Sequence, residues 1–137
     1  MQDSTEKRWT RQLKLPEGVV GDSPSLLRAY DLAATMSSLE RPILVRGPSG
    51  SGKTALAKFI ADRAGRPYLL ESCADISESL LSSKLFGHVR GAFTGATRDR
   101  RGMIREAEGG ILILDEIGKT GQLLQRRLLT LIDRGVI

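Results

Sequence analysis

The sequence predicts an α/β fold built on a parallel sheet with flanking helices, and three observations carry that expectation. Short apolar runs at residues 43–45, 68–70 and 111–114 have the length and composition of buried strands. Helical stretches with apolar residues three and four apart separate them. A Gly-rich loop follows the first run directly and opens a helix. Strands that alternate with helices in this way return to a parallel sheet through crossover connections.

The elements follow in order. Residues 1–18 are polar and charged without a clean period and read as an arm or linker, with Trp9 and Leu13 as docking points; residues 19–137 form the domain. Gly21-Asp22-Ser23-Pro24 is a helix-start signal in which Asp22 or Ser23 caps and Pro24 takes the first helical position. Leu27, Tyr30 and Ala34 then fall on one face. Arg41-Pro42 ends the pattern, and Ile43, Leu44 and Val45 are expected to form a buried strand. A helix is expected from about Lys53 to Arg63, stopped by Gly65. Tyr68, Leu69 and Leu70 form a second strand. Asp75 or Ser77 caps the next helix, whose apolar positions are Ile76, Leu80, Leu81 and Leu85. Residues 87–102, rich in glycine and arginine, read as one long loop. The last helix carries Leu124, Leu128, Leu131 and Ile132 and ends at Gly135. No internal repeat is visible.

Composition bounds the function classes. The chain has 137 residues, 40% of them hydrophobic, with 21 Lys and Arg against 16 Asp and Glu, a net charge of +5. Those proportions exclude a disordered tail or fibrous repeat and fit one domain. The mild basic excess permits an anionic partner without requiring one. A single cysteine, Cys73, excludes an internal disulfide framework and a multi-cysteine zinc site, and suits a reducing cytosol. No run approaches the roughly 18 apolar residues of a membrane span, and the N-terminus is too polar for a signal peptide.

Two motifs carry chemistry. Gly47, Pro48, Ser49, Gly50, Ser51, Gly52, Lys53 and Thr54 satisfy G-x-x-x-x-G-K-S/T without a gap. In such a phosphate loop, backbone N–H groups wrap the anion, and side chains at the glycine positions would obstruct them. Lys53 brings charge to the β- and γ-phosphates, the Thr54 hydroxyl ligates Mg²⁺, and the helix N-terminus points at the same anion. The bland alternative is a Gly-rich turn before a helix. The second motif is Asp115-Glu116, delivered to the C-terminal end of the run at 111–114, where ligands of open α/β sheets bind. Asp115 is then a Mg²⁺ carboxylate, and Glu116 the general base that polarises the attacking water. Its bland alternative is an N-cap pair.

At Gly91, Ala92, Phe93, Thr94, Gly95 and Ala96, preceded by Leu85-Phe86-Gly87-His88, the chain resembles the bacterial enhancer-binding proteins, the sigma-54-dependent transcriptional activators of the AAA+ class of P-loop ATPases. The resemblance runs from about Val20 to the last residue. It includes Gly21-Asp22-Ser23, the phosphate loop, Ser72-Cys73-Ala74, Gly109-Gly110, Leu114-Asp115-Glu116-Ile117-Gly118 and Gln125-Arg126-Arg127-Leu128-Leu129. It implies that ATP hydrolysis with Mg²⁺, in a homo-oligomeric ring that is usually a hexamer, moves the hexapeptide loop. Phe93 and Thr94 then engage the sigma-54 subunit of RNA polymerase and remodel the closed promoter complex in the bacterial cytoplasm. Val19-Val20-Gly21 would line the adenine pocket. An exposed Phe between glycines suits a contact tip on its own account.

The chain departs from the family pattern in places. Pro48 stands where Glu is usual, Thr54 replaces a frequent Glu while keeping P-loop chemistry, Val89 stands for a common Glu, and Lys119-Thr120-Gly121 replaces a more apolar connection. Ser72 stands where the family often has Asn, thought to hold the catalytic Glu until the partner is engaged. The resemblance also implies a further strand between the phosphate-loop strand and the acidic strand, together with arginine fingers, a helical lid and a DNA-binding domain, none of which these residues supply. The chain is therefore expected to be the front part of a longer activator, or a truncated product, incomplete at the C-terminal side of the sheet and inactive as an ATPase alone. The alternatives are an interaction module that binds nucleotide without hydrolysis, and an ATPase of the same fold with another remodelling task. Among the other residues, His88 is expected to pack or hydrogen-bond in the loop base, Cys73 to be a small buried residue, and Arg98, Arg100 and Arg101 to be a solvated cluster. Control is expected to come from a separate protein.

Overall fold

The computed structural model describes residues 15–91, 96 and 98–134, for Arg134 the backbone alone. The chain divides into two compact units between Gly65 and Arg66.

The first unit holds two helices. Helix α1 spans Pro24–Met36, with Pro24 opening it and the Ser23 side chain accepting a hydrogen bond from the Leu26 N–H at 3.2 Å. The cap is Ser23, one of the two candidates. Helix α2, Lys53–Ala64, ends as expected at Gly65, whose φ of 65° places it in the left-handed region that suits glycine. Tyr30 and Ala33 of α1 and Ile60 and Ala61 of α2 are buried, and the Tyr30 and Phe59 rings meet edge to face with centroids 5.0 Å apart. Burial raises the Tyr30 phenol above its ordinary range.

The strand expected at residues 43–45 does not form. These residues have no ladder partner among the described residues, and Leu44 is 72% exposed. An apolar run becomes a strand only when a neighbour satisfies its N–H and C=O groups, and no strand among the described residues pairs with this one.

The second unit contains the sheet. Strands β1, Tyr68–Ser72, and β4, Ile111–Asp115, pair in parallel, with Tyr68 opposite Ile111 and Ser72 opposite Asp115. Between them lie α3, Glu78–Phe86, β2, Gly87–His88, β3, Arg100–Arg101, and α4, Met103–Glu106; a 3₁₀ turn, Ile117–Lys119, and α5, Gln122–Arg134, follow β4. Ser77 caps α3, accepting from the Leu80 N–H at 3.4 Å. The region read as one long loop has instead an antiparallel base, β2 with β3. At that base Gly87 has a φ of 78°, and a Cβ there would overlap the Arg100 carbonyl.

The core of this unit is one cluster of Cys73, Leu81, Leu85, Ile104, Leu124 and Leu128, with Leu112, Leu114 and Ile117 packed against it. Each fully buried leucine contributes about 1.5–3 kcal/mol of transfer free energy. The helical faces are narrower than the sequence period implies: Leu80 and Ile132 are exposed, while Leu81, Leu85, Leu124 and Leu128 are buried. No helix among the described residues is long and apolar enough to cross a membrane.

Candidate functional site

The expected site residues fall in both units. In the first, residues 47–52 form an exposed loop leading into α2. Gly50 and Gly52 adopt φ values of 72° and 86°, which L-residues with a Cβ resist. A Cβ on Gly47 would lie 2.8 Å from Ser51 Oγ, so that hydroxyl would have to turn away. The loop is drawn together at the Pro48 carbonyl, which accepts from the Ser51 N–H at 3.3 Å, from Ser51 Oγ at 2.7 Å and from Lys53 Nζ at 2.6 Å. Ser49 is exposed, and Lys53 and Thr54 open α2 half-buried. No acidic residue occupies the first turn of α2, and the positive end of a helix attracts anions.

The acidic pair lies in the second unit at the C-terminal end of β4. Asp115 closes the strand, and its Oδ1 accepts the Glu116 N–H at 2.9 Å. Glu116 has a φ of 55°, a left-handed conformation that turns the chain off the sheet into the 3₁₀ turn. Lys119, one turn on, holds Glu116 Oε1 at 2.8 Å. The Lys119 ammonium is pushed above its usual range, first by that hydrogen bond and then by the charges of Glu116 and Asp75. Beside them Cys73 is buried, as expected, and its N–H donates to the Asp115 carbonyl at 2.9 Å. Desolvation raises its thiol, followed by the charges of Glu71, Asp115 and Glu116. Ser72 Oγ accepts from the Ala74 N–H at 3.4 Å.

The hexapeptide is described only at its ends. Ala92, Phe93, Thr94 and Gly95 lie outside the described residues. The Gly91 N–H donates to the Ala96 carbonyl at 2.9 Å, and the Arg90 N–H to Asp99 Oδ1 at 2.6 Å, so the loop is closed below its tip. His88 Nδ1 lies 2.6 Å from Ser83 Oγ, the hydrogen-bonding role expected of it. Arg98, Arg100 and Arg101 are exposed.

Three residues near these groups were not singled out by sequence reasoning: Lys119 as a partner of Glu116, Asp99 as the acceptor at the loop base, and Glu78, which accepts the Leu124 N–H at 3.2 Å. Lys119 was legible as an i,i+3 partner. Asp99 pairs nine residues back with Arg90 and Glu78 pairs 46 residues on with Leu124, separations that no helical or strand period marks.

The sigma-54 interaction domain family matches residues 19–137. The chain belongs to this family. Over 122 residues it is 43% identical to the Nif-specific regulatory protein of Rhizobium meliloti strain 1021, covering 87% of this chain and 23% of that protein. It is likewise 43% identical to the transcriptional regulatory protein ZraR of Klebsiella oxytoca, over 85% of this chain and 27% of ZraR. Among solved structures it is similar to NtrX from Brucella abortus, with a TM-score of 0.69 and 27% identity over 91% of this chain and 28% of NtrX. NtrX has also been solved in complex with ATP, and that structure matches with a TM-score of 0.68. The family member described here thus spans about a quarter of the length of these relatives.

Proposed function

We propose that the chain is the nucleotide-binding part of a sigma-54-dependent transcription activator that uses ATP hydrolysis to remodel the polymerase closed complex. The observation that carries the reading is the phosphate loop, left-handed at Gly50 and Gly52 and seated on a helix start with no acidic residue in its first turn, in a chain of the sigma-54 interaction domain family.

The chemistry follows from the residues. Lys53 now donates to the neutral Pro48 carbonyl. A phosphate offers a charged acceptor, and charge-assisted hydrogen bonds are about twice as strong as neutral ones. Pro48 has no N–H, so the cradle draws its donors from the residues after it. Thr54 and Asp115 supply hydroxyl and carboxylate oxygens, the hard donors that Mg²⁺ takes. No group of three or more His, Cys, Asp or Glu side chains capable of holding a metal occurs among the described residues. When bound, Mg²⁺ neutralises charge on the phosphate oxygens. Glu116 takes the proton of the attacking water once its carboxylate leaves Lys119. Phe93 and Thr94 carry the contact to sigma-54.

Calorimetric titration with Mg·ATP tests this. Saturable association is expected, and Lys53→Ala weakens it about tenfold to a hundredfold, the worth of a charge-assisted contact. Glu116→Gln retains association and loses turnover in the assembled ring. Absence of saturable binding overturns the reading, and binding without turnover in the assembled ring leaves an interaction module. Sigma-54 capture by the wild type, lost in Thr94→Ala, separates this reading from another remodelling ATPase.

A further inference from the structure

We propose that Glu78 is a positioning residue that joins the carboxylate end of β4 to the base of the hexapeptide loop, an inference that rests on the nucleotide reading above. Helix α5 begins at Gln122, and the residue before it is Gly121, which has no side chain with which to cap the exposed N–H groups of the first turn. The cap comes from elsewhere. Glu78, in the first turn of α3, accepts the Leu124 N–H at 3.2 Å. Its carboxylate lies so close to Gly121 that a Cβ there would overlap Oε2. A carboxylate at that position also meets the positive end of the α5 dipole.

Both helices fastened by this contact lead to functional groups. From the start of α5, hydrogen bonds brace the turn that leads back to the acidic pair: the Gln125 side-chain amide donates to the Thr120 carbonyl at 2.9 Å and Thr120 Oγ1 to the Ile117 carbonyl at 2.8 Å, while within the same turn the Lys119 N–H donates to the Glu116 carbonyl at 2.9 Å. Downstream, α3 runs into Gly87. There the chain crosses Gly102 at a distance that leaves no space for a Cβ on Gly102 against the Leu85 carbonyl and Phe86. The helices are tied again further along, where Arg127 stacks 3.9 Å over the Phe86 ring and donates to Ser82 Oγ at 2.5 Å. A displacement of the turn carrying Glu116 therefore reaches the loop base through α5, Glu78 and α3.

Hydrogen exchange of the segment at residues 87–102, with and without Mg·ATP, reads this coupling. In the unsubstituted protein nucleotide changes the exchange of the Arg90 and Gly91 amides. Glu78→Ala keeps Mg·ATP affinity within about twofold and shrinks that change about fivefold or more, the low end of ordinary coupling factors. Glu78→Gln, which still presents an acceptor to Leu124, restores it. Gly121→Ala, which leaves Glu78 in the sequence but displaces its carboxylate, behaves as Glu78→Ala does. Thermal melting of each variant shows that it is folded. A nucleotide response that persists in Glu78→Ala, or is lost equally in Glu78→Gln, overturns the proposal. If the unsubstituted protein binds Mg·ATP and the loop-base amides do not respond, this proposal alone falls. If it does not bind Mg·ATP, the nucleotide reading falls and takes this one with it.

Discussion

In the unit that ends at Gly65, the buried apolar side chains among the described residues are Tyr30, Ala33, Ile60 and Ala61, all from two helices. In the unit that begins at Arg66, the core cluster of Cys73, Leu81, Leu85, Ile104, Leu124 and Leu128 draws on three helices and the turn after β1, with Leu112 and Leu114 of β4 packed against it. The two units carry comparable apolar runs, yet only the second turns them into a sheet. There, residues 68–72 and 111–115 satisfy one another's backbone in register. In the first unit Ile43, Leu44 and Val45 face no described strand. Hydrophobicity marks a segment as able to enter a sheet, but the hydrogen-bonding neighbour decides whether it does.

The sharpest way to break this contrast is to remove the centre of the second core. Leu85 is fully buried, and Leu85→Ala is expected to lower stability by about 2–5 kcal/mol through lost burial and the cavity left behind. Urea denaturation followed by circular dichroism measures it, and a loss under 1 kcal/mol, well below that range, would show that the cluster does not hold the unit. Cys73 offers a second probe. Burial and the neighbouring carboxylates keep its thiol protonated above the ordinary range, so iodoacetamide is expected to modify the native chain at least about tenfold more slowly than the urea-unfolded chain. Equal rates at pH 8 would contradict its placement.

Two caps compare the units directly. Ser23 caps α1 and Ser77 caps α3 with the same geometry, so Ser23→Ala and Ser77→Ala are each expected to cost about 1 kcal/mol. Unequal losses in parallel melts would mean that tertiary packing, more than the cap, fixes one helix start. The smallest effect is expected at Leu44. It is 72% exposed, so Leu44→Ala should change stability by less than about 0.5 kcal/mol. A core-sized loss would reveal a partner for the 43–45 run and erase the contrast.

Local chemistry was legible wherever one residue acts on its near neighbours. Asp22 or Ser23 before Pro24, Asp75 or Ser77, and Gly65 marked their helix boundaries, and the structure takes Ser23, Ser77 and Gly65. The glycine positions of the 47–52 loop could be read because they answer a local backbone demand, at φ 72° for Gly50 and 86° for Gly52. The alternation of strands and helices gave the α/β class, and β1 with β4 is parallel as expected. The ladder at the base of the 87–102 segment escaped notice, because Gly-His and Arg-Arg have no strand pattern and pair only where the backbone at Gly87 lies against Arg100.

By itself, then, the sequence narrowed the caps of α1 and α3 to Asp22 or Ser23 and Asp75 or Ser77, and it determined the stop of α2, the glycine positions of the 47–52 loop and the identity of the carboxylates after Leu114. All of these are short-range matters of φ, capping and residue chemistry. Only the tertiary structure decided that Leu81 is buried and Leu80 exposed, that Ile43, Leu44 and Val45 have no ladder partner among the described residues, and that Glu78 caps a helix 44 residues further along the chain, at Gln122. Each of those depends on which surfaces meet. A hydrogen bond or buried contact between distant residues exists only after the chain has brought them together, so no window along the sequence contains it.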